Sequence, residues 1–364
     1  MSLTPFLVAW RTTPLHDREV VDALVDPAHA GPSAELAAAL RGWPGTYYWS
    51  NEPDGRHLVL TQRAGRVRET WGLHIILFAA TVFTTTFSGA IITGALPGDP
   101  SQLFAPSSWG AGFPRAWLTG LPFSLSLLAI LFCHEMGHYL TARRYQLNVS
   151  PPYFLPGFPA PLGIGTFGAF IRLRTILTDR RQLLDVGVAG PIAGFLVAVP
   201  VLWIGLAHSH PGADGIRGMA VPLGSGLQPL GDSLITLFMR QQLFPGATSL
   251  ELHPMAFAGW LGMFVTMLNL LPMAQLDGGH ILYAALPRWH RRVARVFWVF
   301  IMLLSWYSLT WLFWGLVVLL LSRGQLGHPP VLDAYRPLPK SRHWLAWLSL
   351  VLFLLTFAPA PFRS

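Results

Sequence analysis

The stretch AWLTGLPFSLSLLAILFCH, residues 116–134, contains no Asp, Glu, Lys or Arg. A helix of about 20 residues crosses the hydrocarbon core of a bilayer, so this stretch is long enough to be a transmembrane helix. Further uncharged runs of comparable length occur along the chain, at 70–98, 186–213, 252–276, 296–322 and 343–362. The sequence therefore predicts an α-helical polytopic membrane protein with about six to seven transmembrane helices.

Composition excludes several other classes of protein. Of the 364 residues, 52% are hydrophobic and 12% are charged, which is about half the charged fraction of a soluble domain. A soluble enzyme and a disordered chain are therefore excluded, and the single cysteine cannot form the bridges of a disulfide scaffold. The formal net charge of +8 does not indicate nucleic acid, because the basic residues flank the apolar runs, where they orient helices in a membrane.

Residues 1–69 differ in composition from the rest of the chain and predict a small soluble cytoplasmic α+β domain. We expect strands at Leu3–Trp10 and His57–Thr61. Short helices are expected at Asp17–Val25 and Ser33–Leu40. No motif indicates what this domain does. We expect the remainder to divide into a core of four spans at 70–286 and C-terminal membrane spans at 287–364.

Arginines beside the apolar runs predict the orientation of the core spans, because cytoplasmic loops carry an excess of basic residues. They place the N-terminus, the segment 145–184 and the segment after Ala285 in the cytoplasm, and the loop 208–253 outside. A prokaryotic cytoplasmic membrane is the default location. The run 296–322 is long for one crossing and short for two, so a single span and a helical hairpin turning near Ser305–Leu309 both remain open.

The second apolar run ends in the motif His134-Glu135-Met136-Gly137-His138. Helix positions i and i+4 share a face, so both imidazoles can bind one metal ion, and Glu135 then lies beside a metal-bound water as a general base. An ionisable group inside a membrane span is costly and usually functional. The alternative is a Glu135 neutralised by a neighbour, with His134 and His138 as hydrogen-bonded packing residues.

The fourth predicted span, at about Met255–Ala285, supplies a partner for this motif. Asp277 offers an oxygen ligand, and two histidines with one carboxylate leave a coordination position open for water. Pro272 breaks the helix, while Gly278 and Gly279 permit close backbone approach. A turn at the membrane edge is the alternative interpretation of Asp277-Gly278-Gly279.

Depth in the membrane favours the metal site. His134 lies nine residues before Arg143, and Asp277 lies eleven residues before Arg288. At the rise of an α-helix, both lie about 15 Å from the same face of the membrane. Two spans that are oriented independently thus hold their candidate ligands at one level, which a chance motif does not explain.

Together, His134-Glu135-Met136-Gly137-His138 and the sequence from Asn269-Leu270-Leu271-Pro272 to Leu276-Asp277-Gly278-Gly279 resemble the motifs of the site-2 proteases, a family of intramembrane zinc metalloproteases. The resemblance covers roughly residues 117–285. It implies that one Zn²⁺ ion is bound by His134, His138 and Asp277. It also implies Glu135 as the catalytic base and Asn269 as a residue that contacts the substrate backbone or the oxyanion. The implied substrates are transmembrane or membrane-proximal segments of membrane proteins, so the expected partners are a substrate helix and the lipid bilayer.

Residues 145–181 contain five prolines and then the alternating sequence Ala169–Arg174, which is typical of a strand. This region resembles the membrane-associated β-hairpin of the family. We expect an edge strand here to pair with unwound substrate by β-augmentation, and a solvated cytoplasmic hairpin is the alternative. In the third span, close helix packing is indicated by three glycines at helical spacing: Gly187, Gly190 and Gly194.

The chain departs from the better-known bacterial members of the family, because the loop 208–253 is too short for an inserted peptide-binding PDZ domain. With its N-terminal domain it is more similar to plant-plastid-like and bacterial relatives. Three other functions remain open. A membrane metal transporter or sensor needs further ionisable ligands along a path, and the spans contain few. A di-iron oxygenase or desaturase needs several histidine pairs, and only one pair has ligand spacing. A catalytically inactive scaffold has no need of Glu135. No motif indicates the oligomeric state or the identity of the substrate.

Overall fold

The computed structural model describes residues 3–15, 18–43, 45–63, 69–99, 110–175, 177, 179–212, 217–223, 226–329, 331 and 337–363. Among these residues, three helices are long and apolar enough to cross a membrane: Trp71–Ile92, Leu121–Arg144 and Arg180–Ala207. Two shorter apolar helices are Pro254–Asn269 and Leu309–Leu321. The chain is thus a helical membrane protein with some strands, and the count of six to seven spans stays a prediction.

The helices in chain order are α1 (Ala34–Arg41), α2 (Trp71–Ile92), α3 (Phe113–Leu118), α4 (Leu121–Arg144), α5 (Arg180–Ala207), α6 (Leu234–Leu243), α7 (Pro254–Asn269), α8 (Asp277–Ala285), α9 (Pro287–Leu304), α10 (Leu309–Leu321) and α11 (His343–Thr356). The strands are β1 (Leu7–Leu15), β2 (Arg18–Val25), β3 (Thr46–Glu52), β4 (Gly55–Arg63), β5 (Tyr153–Pro156), β6 (Thr166–Phe170), β7 (His210–Pro211), β8 (Gly218–Leu223), β9 (Gly226–Leu230) and β10 (Ser249–Glu251). Each uncharged run of the sequence therefore contains helix.

The N-terminal region forms an antiparallel sheet with the strand order β1-β2-β4-β3. Helix α1 packs on it, and their shared buried core consists of Val25, Leu36, Leu40, Leu58 and Leu60. The prediction of a helix at Asp17–Val25 is wrong, because Arg18–Val25 is the strand β2. This strand pairs with β1 on one side and β4 on the other, and pairing along both edges outweighs its local preference.

Helices α4, α5 and α7 pack closely against one another, and glycines permit the approach. A Cβ on Gly137 of α4 would lie 2.4 Å from the carbonyl oxygen of Ala189 in α5. A Cβ on Gly259 of α7 would lie 2.6 Å from Cα of Leu202, also in α5. Since both neighbours are backbone atoms, only glycine allows these crossings, and the three helices form the scaffold of the site.

The fourth predicted span is not one continuous helix. Helix α7 ends at Asn269 and α8 begins at Asp277, with Pro272 in the non-helical chain between them. Proline lacks a backbone N–H and clashes with the preceding turn, so the helix stops where the sequence predicts a break. Further on, α9 ends at Leu304 and α10 begins at Leu309, within the segment where the hairpin turn is expected.

The segment between α4 and α5 contains a two-stranded antiparallel sheet of β5 and β6. The strand expected at Ala169–Arg174 ends earlier, at Phe170. Regular pairing is interrupted at Arg172, whose backbone N–H donates to the hydroxyl of Ser150 at 2.9 Å, and it resumes as an isolated antiparallel bridge between Val149 and Leu173. Within the described residues β6 pairs with β5 alone, so its second edge has no strand beside it.

The described residues of the predicted polar loop at 208–253 form secondary structure. They contain a four-stranded sheet in the order β7-β10-β8-β9, and the helix α6. Strand β9 also bridges through Leu230 to Phe362, near the end of the chain. Strands of two to six residues give little periodicity in a sequence, which is why the pattern indicates only a polar loop.

Candidate metal centre

The motif in α4 presents both of its histidines on one side of the helix. His134 and His138 are 4% and 8% exposed, and their Nε2 atoms lie 3.2 Å apart. One helical turn separates the two residues, so their imidazoles project from one face. Glu135 is buried as well, one position further round the helix.

Asp277 forms a cluster with these histidines. Its Oδ2 lies 3.3 Å from Nε2 of His134 and 3.3 Å from Nε2 of His138. In the part of the chain that the structure describes, no other three His, Cys, Asp or Glu side chains have ligand atoms within 4.8 Å of one another. Two helices that are distant in sequence therefore deliver these side chains to one point.

The glycines after Asp277 shape the backbone that carries it. A Cβ on Gly278 would lie 2.0 Å from the carbonyl oxygen of Leu270, and one on Gly279 would lie 2.4 Å from that of Ala274. The start of α8 thus folds tightly against the loop that follows α7. Asp277 lies in the first turn of α8, where the helix dipole favours a negative charge.

The glycines of α5 make room for the imidazoles. A Cβ on Gly190 would lie 2.0 Å from Nε2 of His138, and one on Gly194 would lie 3.1 Å from Nδ1 of His134. The sequence indicates close helix packing for these glycines, and the groups packed against them are the candidate ligands themselves. A side chain at position 190 would compete with a ligand nitrogen for the same space.

A backbone contact orients His138. Its Nδ1 lies 2.8 Å from the carbonyl oxygen of Val186 and, since a carbonyl oxygen can only accept, Nδ1 donates. A neutral imidazole protonated at Nδ1 presents the lone pair of Nε2 to the cluster. This is the form that binds a metal ion.

Asn269 and Glu135 border the cluster. The Nδ2 of Asn269 is 3.2 Å from Nε2 of His134. Glu135 lines the same cavity as Ile171, the residue that follows β6. A cavity of about 300 Å³ is lined by all five residues that the sequence proposes for the site: His134, Glu135, His138, Asn269 and Asp277.

The donor atoms and their spacing fit one zinc ion. Zinc binds histidine nitrogen and carboxylate oxygen at about 2.0–2.2 Å and prefers a tetrahedron, whose ligand atoms lie about 3.3 Å apart. The three separations in the cluster are 3.2, 3.3 and 3.3 Å. Three protein ligands also leave one tetrahedral position free, as in catalytic and not structural zinc sites.

Residues that the motifs do not indicate also belong to this region. His280 lines the cavity, and its Nδ1 lies 2.7 Å from Nε2 of His328, which is 48 residues further along the chain. His280 directly follows Gly279 of the second motif but is not part of it, and His328 has no motif near it. Gln275 lines the cavity too, and no spacing rule points to it.

Comparison with known proteins agrees with the motifs. Residues 122–308, just over half of the chain, match the family model of Peptidase family M50. Similar proteins include the "Probable zinc metalloprotease EGY1, chloroplastic" of Oryza sativa subsp. japonica, 33% identical over 223 residues that cover 58% of this chain and 37% of the relative. The EGY1 protein of Arabidopsis thaliana, with the same printed name, is 31% identical over 245 residues, covering 66% and 43%. The "Probable zinc metalloprotease EGY2, chloroplastic" of Arabidopsis thaliana is 32% identical over 248 residues, covering 67% and 42%.

The chain thus spans 37–43% of the length of these relatives. Their names place them in chloroplasts, so they lend no support to the expectation of a prokaryotic cytoplasmic membrane. The region that matches the family model contains both motifs, from His134 to Asp277. By this match and by its motifs, the chain belongs to Peptidase family M50, the site-2 proteases.

Proposed function

We propose that the protein is an intramembrane zinc metalloprotease that cleaves transmembrane or membrane-proximal segments of other membrane proteins. The observation that carries this proposal is the buried triangle of ligand atoms from His134, His138 and Asp277, which shares a cavity with Glu135. A triangle with one open coordination position suits hydrolysis. Its location among apolar helices restricts the substrates to chains that enter the membrane.

His134, His138 and Asp277 would hold the zinc ion, which when bound supplies a Lewis acid for the substrate carbonyl and makes water more acidic. Glu135 would take a proton from the attacking water at its carboxylate and return it to the nitrogen of the leaving amine. One C–O bond forms and one C–N bond breaks, so the protein ends in its starting state.

Asn269 would orient the substrate. If Nε2 of His134 helps to hold the metal ion, its lone pair would no longer accept a hydrogen bond, and Nδ2 of Asn269 would be free of that contact. It can then donate to the substrate backbone or to the developing oxyanion. Asn269 is the last residue of α7, next to the break that opens the helix toward the cavity.

We infer that the membrane region has six to seven spans, with the broken helix α7–α8, the pair α9 and α10, and α11 entering the bilayer beside the three long helices. Large apolar side chains on the outside support this arrangement. Leu303, Trp306, Leu320 and Trp347 are each at least 67% exposed, which suits lipid better than water. The apolar runs and flanking arginines of the sequence support a division into a cytoplasmic domain at 1–69, a protease core at 70–286 and C-terminal spans at 287–364.

The free edge of β6 would bind unwound substrate by β-augmentation. The strand ends at Phe170, and the next residue, Ile171, lines the same cavity as Glu135, so a substrate strand added there would pass the cluster. Proline at Ala169 lacks the N–H of this edge and should abolish cleavage while zinc stays bound. Ala169→Val, which keeps the N–H, is the matched control. Cleavage by Ala169→Pro at the wild-type rate would exclude this mode of binding.

The proposed activity is tested by zinc content and by cleavage of a single-span model substrate, in wild type and in Glu135→Gln. Glutamine keeps the size of the side chain but cannot take the proton, so both proteins should bind one zinc ion and only wild type should cleave. Equal cleavage by both would reject the protease. Zinc bound without cleavage by either would favour a metal transporter or sensor, and His134→Ala is the control that loses zinc.

A further inference from the structure

A segment outside the region matched by the family model contacts the site on both sides of Asp277. This segment, residues 325–329, follows α10 and is called the 325–329 segment below. The carbonyl oxygen of Leu326 accepts a hydrogen bond of 2.8 Å from the N–H of Ala274, in the loop before Asp277. His328 contacts His280, in the helix after Asp277. Ala274 has a φ of 52°, which a side chain rarely adopts, so the bond from Leu326 supports a strained part of the loop.

The hydrogen bonds of His328 determine which nitrogen of His280 carries a proton. Nδ1 of His328 contacts the carbonyl oxygen of Pro329, which can only accept, so Nδ1 donates. Nε2 of a neutral His328 is then an acceptor, and its partner Nδ1 of His280, 2.7 Å away, must donate to it. It follows that Nε2 of a neutral His280 is an acceptor too.

Packing holds both rings in the positions that this order requires. The ring of His328 stacks on Tyr283, with 4.6 Å between centroids, and its backbone N–H donates to Nδ1 of His290 at 3.4 Å. His280 packs on α5, where a Cβ at Gly187 would lie 3.2 Å from the Cβ of His280. His280 is therefore part of the wall of the cavity, and His328 contacts it without lining the cavity itself.

The acceptor nitrogen of His280 is available to a ligand. His280 lines the cavity. Among the described residues its Nε2 has no hydrogen-bond partner, and this atom is not fully buried. An extended substrate carries amide groups on both of its edges. If one edge pairs with β6, the N–H groups of the other edge need acceptors in a site shielded from water.

We propose that His280 accepts a hydrogen bond from a backbone N–H of the substrate through Nε2, and that His328 is the positioning residue that keeps His280 in this tautomer. The inference rests on the proposed protease function, because it assumes a peptide in the cavity. Without His328, His280 can carry its proton on Nε2. That nitrogen would then be a donor facing the donor N–H of the substrate, and no hydrogen bond would form between them.

The role of His328 is tested by nitrogen-15 spectroscopy of histidine-labelled full-length protein, in which the two neutral tautomers give different chemical shifts. His328→Phe keeps a ring to stack on Tyr283 but removes the acceptor, whereas His328→Gln keeps an acceptor near the position of Nε2. His280→Gln assigns the signals of His280. The Nδ1–H tautomer is expected in wild type and His328→Gln, and the Nε2–H tautomer should appear in His328→Phe. An unchanged tautomer in His328→Phe would overturn the positioning role.

The role of His280 is tested by affinity, measured in the Glu135→Gln background as the Kd of a fluorescent peptide with the sequence of the model span. Loss of one buried hydrogen bond should raise Kd about tenfold in His280→Ala and in His328→Phe, and less than about twofold in His328→Gln. An unchanged Kd in His280→Ala would overturn the proposal. Zinc content and unfolding temperature show whether each variant keeps its metal site and its fold. If His328→Phe loses zinc or unfolds at a lower temperature, the Kd of His280→Ala alone tests the proposal.

Failure of the proposed function would be visible separately. Equal cleavage by wild type and Glu135→Gln would reject the protease, whereas the tautomer of His280 and the Kd of the peptide are read without any cleavage. Conversely, intact cleavage chemistry with no effect of His280→Ala on Kd would reject only the inference drawn from His280 and His328.

Discussion

Replacing Gly190 by alanine should remove His138 from the metal site while the fold remains. The new Cβ would lie 2.0 Å from Nε2 of His138, and contacts become ordinary only from 3.4 Å, so the imidazole must move by about 1.4 Å, the difference between the two distances. Metal–ligand distances tolerate deviations of about 0.2 Å. The displaced nitrogen therefore cannot remain a ligand.

The energetic consequences for zinc and for the fold differ. The His138 ring is the end of a flexible side chain, so it can rotate away and lose its 2.8 Å hydrogen bond to Val186, at a cost of about 1 kcal/mol. The proposed zinc site would lose one of its three protein ligands. Since substitutions of residues that merely support a ligand weaken binding by about 10- to 100-fold, we expect at least about 100-fold weaker binding in Gly190→Ala.

The assay is zinc content by mass spectrometry, together with the Kd for zinc from competition with a chromophoric chelator. Gly72→Ala is the matched control, because Gly72 is also helical and a Cβ there meets nothing within 4 Å. Gly194→Ala should lie between the two, since its Cβ would be 3.1 Å from His134. Wild-type zinc affinity in Gly190→Ala would refute the reasoning, and the unfolding temperature shows that the fold has survived.

Three further substitutions test other parts of the architecture. Asn269→Leu should lower cleavage by about 100- to 1,000-fold with zinc content unchanged, as expected for loss of an oxyanion donor, and wild-type kcat would contradict this role. Gly259→Ala should lower the free energy of unfolding by about 1–3 kcal/mol, because its Cβ would lie 2.6 Å from the backbone of Leu202. An unchanged unfolding temperature would argue against close packing of α5 and α7. The hydrogen bond from Arg174 holds the pKa of Glu69 below its ordinary value of 4.5, so this ion pair stabilises the fold at neutral pH and is lost as the pH falls through the lowered pKa. The difference in unfolding temperature between wild type and Glu69→Gln should therefore shrink as the pH drops below 4.5, and a difference independent of pH would exclude the ion pair as its source.

Much of the site follows from local rules that a sequence obeys wherever it folds. The spacing of His134 and His138 alone brings both rings to one helix face, because an α-helix repeats every 3.6 residues. Pro272 alone ends α7, because it lacks the N–H that the helix needs. Even the meeting with Asp277 is within reach of the sequence, since the bilayer gives both spans a common scale of depth against their flanking arginines.

Other features depend on contacts between distant parts of the chain. The segment Arg18–Val25 is a strand because it pairs on both edges, although its local pattern favours a helix. The separations of 3.2–3.3 Å in the cluster result from the packing of α4, α5 and α8, which no spacing rule encodes.

The apolar spans, the candidate ligands and the broken helix can be predicted from the sequence alone, because each depends on hydrophobicity, helical periodicity or backbone chemistry within a short stretch. That Gly190 leaves the space for His138, and that His328 lies against His280, becomes visible only in the folded chain. The packing of helices and the paths of loops determine such contacts. No local sequence pattern predicts a contact between residues separated by 48 positions.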